Sequence, residues 1–312
     1  MFGIVKRLAD AGVVGINRRN LDFVMAHNAR RNYPLVDDKM RTKQLALDAG
    51  MAVPELYGSI ATQGDVRRIG DIAADRPFVV KPAHGSGGDG ILVIDGKTAK
   101  GYRKHDGTSI SEGEMAYHAS TTLSGQYSLS GLPDTVMIEY RVQFDPLFAN
   151  IAYQGIPDIR VVVYRGFPTM AMVRLPTRQS GGKANLHQGA IGVGIRIADG
   201  VTLAGCWGNE KIVEHPDTGH DIAGIEIPDW ETILMLAARS YEITKLGYLG
   251  VDIVLDRDRG PLILELNARP GLNIQIANDT GLDSRLARIP ADSDLSPAER
   301  VAFSVETFAN KA

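Results

Sequence analysis

The chain has 312 residues, 44% of them hydrophobic, and a formal net charge of −3. That length can bury a substantial core and predicts two or three packed subdomains, while so small a net charge gives no bulk electrostatic reason for a nucleic-acid or membrane partner. A single cysteine, Cys206 in "LAGCWG", excludes an internal disulfide framework, fits a reducing compartment and reads as a small buried hydrophobe.

The start, "MFGIVKRLADAG", lacks the apolar core of a signal peptide, and no run nears the roughly 20 apolar residues of a membrane helix, so the expected location is the cytoplasm. Residues 1–36, punctuated by "NRRN" and "ARRNYP", read as a short helical segment. "DDKMRTKQLALDAG" predicts a helix with Asp37 or Asp38 as N-cap, Met40, Leu45 and Leu47 as apolar positions and Gly50 as its stop. "VPELYGSI" predicts a strand and "GDVRRIGDIAA" a helix.

Next comes "PFVVKPAHGSGGDGILVI", in which Gly85, Gly87 and Gly90 have the spacing of a dinucleotide fingerprint. That fingerprint requires glycines that leave a strand and open a helix. Here a second β-rich run follows, so the stretch predicts a hairpin, whose glycine tip can still lay backbone N–H groups on phosphates. Residues 97–109 read as polar and turn-rich, "SEGEMAYHASTTLSG" as a helix and "TVMIEYRV" as a buried strand.

From Asp158 the texture changes to "DIRVVVYRG", "PTMAMVRL", "GAIGVGIRI" and "VTLAGCW", which predict an antiparallel sheet. "PDWETILMLAARSYEITKLG" predicts a long helix with Pro228 in its first turn and Gly247 just past its end. "LGVDIVLD" and "PLILELN" predict two strands, and Ser296, Pro297 and Glu299 spell a capping box for a last helix.

Strand alternation puts Leu262, Leu264 and Leu266 on one face of "PLILELN" and Ile263, Glu265 and Asn267 on the other. With Asp252 isolated among apolar residues of the preceding strand, three oxygen-bearing side chains can meet on neighbouring strands. Such a set suits magnesium held by few protein ligands, and the alternative is a structural network of acids and arginines. Lys81 ends its strand at the glycine loop, where an ammonium could meet phosphates; alone it would read as a solvated lysine.

Lys39 in "DDKMRTKQLALDAGMAVPE", Lys81 with "GSGGDG", then "VMIEYRV", "DIRVVVY", "ANLHQGA" and "GVDIV" followed by "LILELNARPG" together resemble an ATP-grasp ligase, closest in wording to the RimK-type and alpha-L-glutamate ligase-like proteins. The resemblance implies an α+β fold in which two lobes clamp ATP. Its division of the chain is a short N-terminal helical segment at 1–36 in place of a full leading domain, a lobe with the glycine hairpin at 37–136, a lobe with the metal site at 137–290 and a C-terminal helix at 291–312. Only 38 residues precede Lys39, too few for the domain that RimK-type enzymes carry there.

By the same likeness Lys39, Lys81, Gly85, Ser86, Gly87 and Gly88 meet ATP phosphates, and Glu139 with the backbone of Tyr140 and Arg141 meets adenine. Asp252, Glu265 and Asn267 hold magnesium, with manganese as an alternative ion, Arg160 faces the transferring phosphoryl group, and Arg178 and Asn185 contact substrate or phosphate. His187 is either a base or a polar loop residue, and Arg269 either grips a substrate carboxylate or neutralises Glu265.

The implied activity is ATP-dependent carboxylate–amine ligation through an acyl phosphate, attaching glutamate or another amino acid to a peptide, protein or small-molecule acceptor. The competing expectations are a nucleotide-binding scaffold without ligation and a ligase acting on a sugar or envelope precursor. No nucleic-acid partner and no membrane span are expected, and homo-oligomerisation stays open.

Overall fold

A computed structural model describes residues 2–85, 87–128 and 131–309, with side chains from Lys6 onward. The chain divides into two compact units, one of residues 38–44 and 53–143, the other of 1–37, 45–52 and 144–312.

The first unit is built on strands β1 (Leu56–Ile60), β2 (Phe78–Pro82), β3 (Leu92–Thr98), β4 (Gly101–Lys104), β5 (Ser109–Ser111) and β6 (Val136–Tyr140), in the antiparallel order β1-β6-β2-β3-β4-β5. The glycine stretch is a hairpin loop, with Val79 opposite Val93 and Val80 opposite Leu92 on its two sides. The polar stretch 97–109, expected as turns, instead continues the meander through β4 and β5. Helix Glu112–Leu123 starts on a capping box between Ser111 and Glu114. Its Met115, Ala119 and Leu123 pack on Phe78, Val80, Ile94 and Ile138 of the sheet. Each fully buried large apolar side chain of this kind contributes about 1.5–3 kcal/mol.

Helix Lys39–Asp48 begins where expected, Asp38 accepting from the N–H of Met40 at 2.9 Å, and Gly50 takes the left-handed φ of +63° just past it. Its apolar pattern, however, misidentifies the inner face. Leu47 is 52% exposed, Met40 and Leu45 are half-buried, and the buried positions are Thr42, Lys43 and Ala46.

The second unit carries β7 (Asp158–Tyr164), β8 (Phe167–Leu175), β9 (Ile191–Ile195), β10 (Thr202–Trp207), β11 (Glu210–Ile212), β12 (Tyr248–Asp256) and β13 (Gly260–Asn267), in the order β11-β10-β9-β8-β7-β12-β13. Every residue of β7 and β12 is buried, which is why both read as nearly continuous apolar runs. Helix Trp230–Thr244 packs on this sheet and pairs with the capped last helix, Pro297–Thr307, through Arg300 and Glu242. It begins after Pro228 and stops at a left-handed Lys245, so neither Pro228 nor Gly247 plays the expected helix-end part. Gly247 answers to close packing instead: a Cβ there would lie 2.8 Å from the Cβ of His27.

Residues 1–37 belong to this second unit. Asn28 donates to the carbonyls of Tyr248 and Ala268 at 2.8 and 3.0 Å and accepts from the Tyr248 N–H at 2.8 Å, tying the segment to the start of β12 and the end of β13. The expected boundary at 136/137 also moves, because "TVMIEYRV" forms β6 between β1 and β2, and the units part at 143/144. Among the described residues no helix is long and apolar enough to cross a membrane.

Candidate functional site

In the first unit Lys81 is the penultimate residue of β2, one strand from Glu139 of β6. Both Lys81 and Lys43 direct their ammonium groups at the Glu139 carboxylate, Lys43 at 3.0 Å, and all three side chains are at most 8% exposed. Burial pushes the Glu139 carboxyl up, but Lys81 and then Lys43 outweigh it and hold the group below the ordinary carboxylate range. Burial also lowers the Lys43 ammonium against the pull of Glu139. The side chain expected at adenine is therefore taken up by two lysines. Beside it, the Tyr140 N–H donates to Glu55 O at 2.8 Å and Arg141 pairs with Asp95 at 3.1 Å.

Lys39 donates its ammonium to the Gly85 carbonyl and its backbone N–H to Ala83 O at 3.1 Å, which places it at the root of the glycine loop. Gly87, Gly88 and Gly90 have φ of +67°, +81° and +73°, a conformation in which consecutive N–H groups can converge on an anion. Gly90 is constrained further, since a Cβ there would meet the Tyr127 ring at 2.6 Å. Ser86 lies outside the described residues.

In the second unit Asp252 of β12 stands opposite Glu265 of β13 and, on its other side, opposite Arg160 of β7. A bulge at this point sets Ile253 against Ile263, interrupting the strict alternation expected for "PLILELN". Asn267 donates to Asp252 at 3.2 Å and to Glu265 at 3.3 Å, so the three predicted ligands do converge. Arg160 grips Asp252 with both prongs, its Nε at 2.6 Å, and Arg174 bridges Asp252 at 2.8 Å and Asp158 at 2.6 Å. The result is a buried ladder running Arg160, Asp252, Arg174, Asp158. Arg160, expected at the phosphoryl group, thus has its fork engaged by Asp252. Burial pushes the Asp158 carboxyl up to about 6 against the pull of Arg174. Burial pushes Asp252 the same way, but Arg160 and Arg174 prevail and hold it below the ordinary range.

Two carboxylates and an amide are a hard-oxygen donor set, and among the described residues no group of three or more His, Cys, Asp or Glu forms a richer one. Asp252 Oδ2 is crowded by Arg160, Arg174 and Asn267, whereas Oδ1 accepts from the Arg160 Nε–H. Glu265 and Asn267 are half-buried at the strand end. These residues fit a magnesium ion that takes most of its ligands from substrate and water, with Glu265 and Asn267 foremost.

Arg178 is exposed, its guanidinium 5.4 Å from the Tyr153 ring centroid and its N–H donating to Asp217 at 2.7 Å. Asn185 caps the turn Leu186–Gln188, accepting from the His187 N–H at 3.0 Å; His187 itself is exposed. Arg269 lies 5.2 Å from the Tyr33 ring centroid. Sequence reasoning missed the place of Lys43, Asp158 and Arg174. The available signals were charge inside apolar strands, Asp158 before "IRVVVY" and Arg174 in "MVRL", and a lysine one helical turn after Lys39.

Comparison with known proteins places these residues in context. The sequence model of the sugar-transfer associated ATP-grasp family matches residues 18–291. The ribosomal protein bS6–L-glutamate ligase of Escherichia coli O7:K1 (strain IAI39 / ExPEC) is 24% identical over 246 residues, covering 79% of this chain and 60% of the relative. Among solved structures, the ATP-grasp ligase PsnB complexed with minimal precursor is 16% identical with a TM-score of 0.46, covering 89% of this chain and 63% of that one. The D-alanine-D-alanine ligase from Coxiella burnetii is 12% identical with a TM-score of 0.44, covering 89% and 60%. The chain thus spans less than two thirds of the length of each of these three proteins.

Proposed function

Because the chain belongs to the sugar-transfer associated ATP-grasp family, with the α+β ATP-grasp fold, we propose that it is an ATP-dependent carboxylate–amine ligase. The observation that carries this reading is the sign of the charge each unit leaves over. In the first, Lys43 and Lys81 face one carboxylate, Glu139, with Lys39 at the loop root, an excess of positive charge beside a loop rich in N–H groups. In the second, Asp158, Asp252 and Glu265 stand against Arg160 and Arg174, an excess of negative charge with an amide oxygen beside it. Buried excess charge is costly unless a complement arrives, and magnesium with a nucleoside triphosphate supplies both complements.

Lys39, Lys81 and the loop at Gly85, Gly87 and Gly88 bind the phosphate chain, while Lys43 and Glu139 hold Lys81 in place. Glu265, Asn267 and Asp252 hold magnesium, or manganese, which when bound neutralises charge on the transferring phosphoryl group. Arg160 and Arg174 keep Asp252 ionised and fixed. A substrate carboxylate attacks the γ-phosphate to give an acyl phosphate and ADP, and an amine displaces phosphate to form the amide. Such positioning chemistry needs no nucleophilic side chain. Arg178 and Asn185 supply contacts to the substrate carboxylate or the acyl phosphate. The substrate is an amino acid such as glutamate, and the acceptor a peptide, protein or small molecule. The family's association with sugar transfer favours, as a second reading, an acceptor that bears a sugar.

ADP release by the purified chain with ATP and magnesium, scanned over amino acids and amine acceptors with mass analysis of products, tests the reading. Release is expected to depend on one substrate pair and to fall at least about 100-fold when Asp252 and Glu265 are both replaced by Ala. Turnover undiminished in that double variant overturns the assigned site; nucleotide binding without any ligation returns the chain to a scaffold role.

A further inference from the structure

His84 stands between the strand that carries Lys81 and the first glycine of the loop, and its environment is more built than a linker residue requires. Its ring Nδ1 donates to Asp134 Oδ1 at 2.7 Å, and the Asp134 side chain is fully buried. The same carboxylate accepts from the backbone N–H of His84 at 3.1 Å and from that of Thr135 at 2.7 Å. Those two backbone donors alone would justify Asp134 as a turn-holding residue. They do not require a ring, and a ring serving only the turn would be buried with both nitrogens satisfied.

Instead the imidazole is 42% exposed. Its Nε2 reaches no hydrogen-bond acceptor among the described residues, Asp38 Oδ2 being 3.9 Å away. Asp38 has its other oxygen turned to the N–H of Met40 at the helix start. The next residue on either chain segment is a phosphate candidate: Lys39 follows Asp38, Gly85 follows His84, and the Lys39 ammonium sits on the Gly85 carbonyl. A buried carboxylate that fixes one ring nitrogen and aims the other outward is the arrangement by which proteins orient an imidazole toward a ligand.

We propose that His84 is an anion-binding residue that donates Nε2–H to a β- or γ-phosphate oxygen of the nucleotide, with Asp134 as its positioning residue. The inference rests on the nucleotide reading above and adds a contact that the motif does not supply. The charged groups facing the ring are Asp134 and Asp38. The ligand class is a polyphosphate ester, since a single imidazole N–H beside an ammonium and a glycine loop suits phosphate oxygens and offers nothing to a base.

The test is the affinity of the full chain for ATP, ADP and AMP by calorimetry with magnesium. In His84→Ala, ATP affinity is expected to drop about tenfold or more, consistent with one hydrogen bond to a charged group, with AMP affinity within about twofold of wild type. His84→Lys is expected to restore ATP affinity. Unchanged ATP binding in His84→Ala, or an equal loss for ATP and AMP, overturns the inference while leaving the functional reading in place. Wild-type protein that binds no nucleotide overturns both.

Discussion

The two compact units solve the same problem, burying charge, with opposite arithmetic. In the first, two ammonium groups close on one carboxylate, Glu139; in the second, Asp252 and Asp158 share two guanidiniums while Glu265 accepts from Asn267 beside them. Lysine brings point charges that two different chain segments can aim at one acceptor, whereas Arg160 and Arg174 bring planar forks that lock carboxylates bidentately and lie across strands in register. The first arrangement leaves positive charge over and the second negative charge. Neither excess is a stabilising device in itself, because buried pairs roughly repay their desolvation at best.

Removing the shared acceptor should have the largest effect. Glu139→Gln leaves two buried ammonium groups facing each other, and denaturant unfolding is expected to show a loss of about 3–5 kcal/mol, the range for breaking a buried ion pair. Lys43→Met, which keeps Lys81 paired with Glu139, should cost clearly less. Equal losses in the two variants would mean the triad is not organised around Glu139.

A second, intermediate effect distinguishes the ladder by its titration. Burial raises Asp158 to about 6 from an ordinary value near 3.9, so the folded state holds this proton more tightly than the unfolded state. The associated stability is complete below about pH 4 and is lost as pH rises through about 6. Two units correspond to about 3 kcal/mol at most. The unfolding free energy of Asp158→Asn should therefore gain on wild type by up to that amount between about pH 4 and 6. A difference that stays flat with pH would show that Arg174 keeps Asp158 ionised throughout.

The smallest stability effect belongs to the exposed residue proposed at the substrate. Arg178→Ala is expected to change unfolding by less than about 0.5 kcal/mol, as surface substitutions do. Its effect should fall on the KM for the carboxylate substrate in the ADP-release assay. A large loss of stability would make Arg178 part of the packing around Tyr153 and Asp217 instead.

Where the chemistry lies on a regular strand, it was legible beforehand. Asp252, Glu265 and Asn267 could be placed together because strand pairing and side-chain alternation depend on sequence alone, and the hairpin loop of glycines could be told from a strand-to-helix turn by the β-rich run that follows it. The helix of Lys39 shows the opposite case. Its apolar spacing pointed to Met40, Leu45 and Leu47, but the inner face holds Lys43, because Glu139, 96 positions further on, arrives on β6 to receive it. Hydropathy has no record of such a partner.

The sequence by itself determined the antiparallel texture of the second sheet, the capping box at Ser296 and the meeting of Asp252, Glu265 and Asn267, since each depends on residues adjacent or near in the chain. Only the tertiary structure decided that β6 inserts between β1 and β2, that residues 1–37 belong with the second sheet, and that Asp158, Arg174 and Asp134 bear on the sites at all. Each of those outcomes depends on which distant segments meet, and a buried charge takes its meaning from the partner across the sheet.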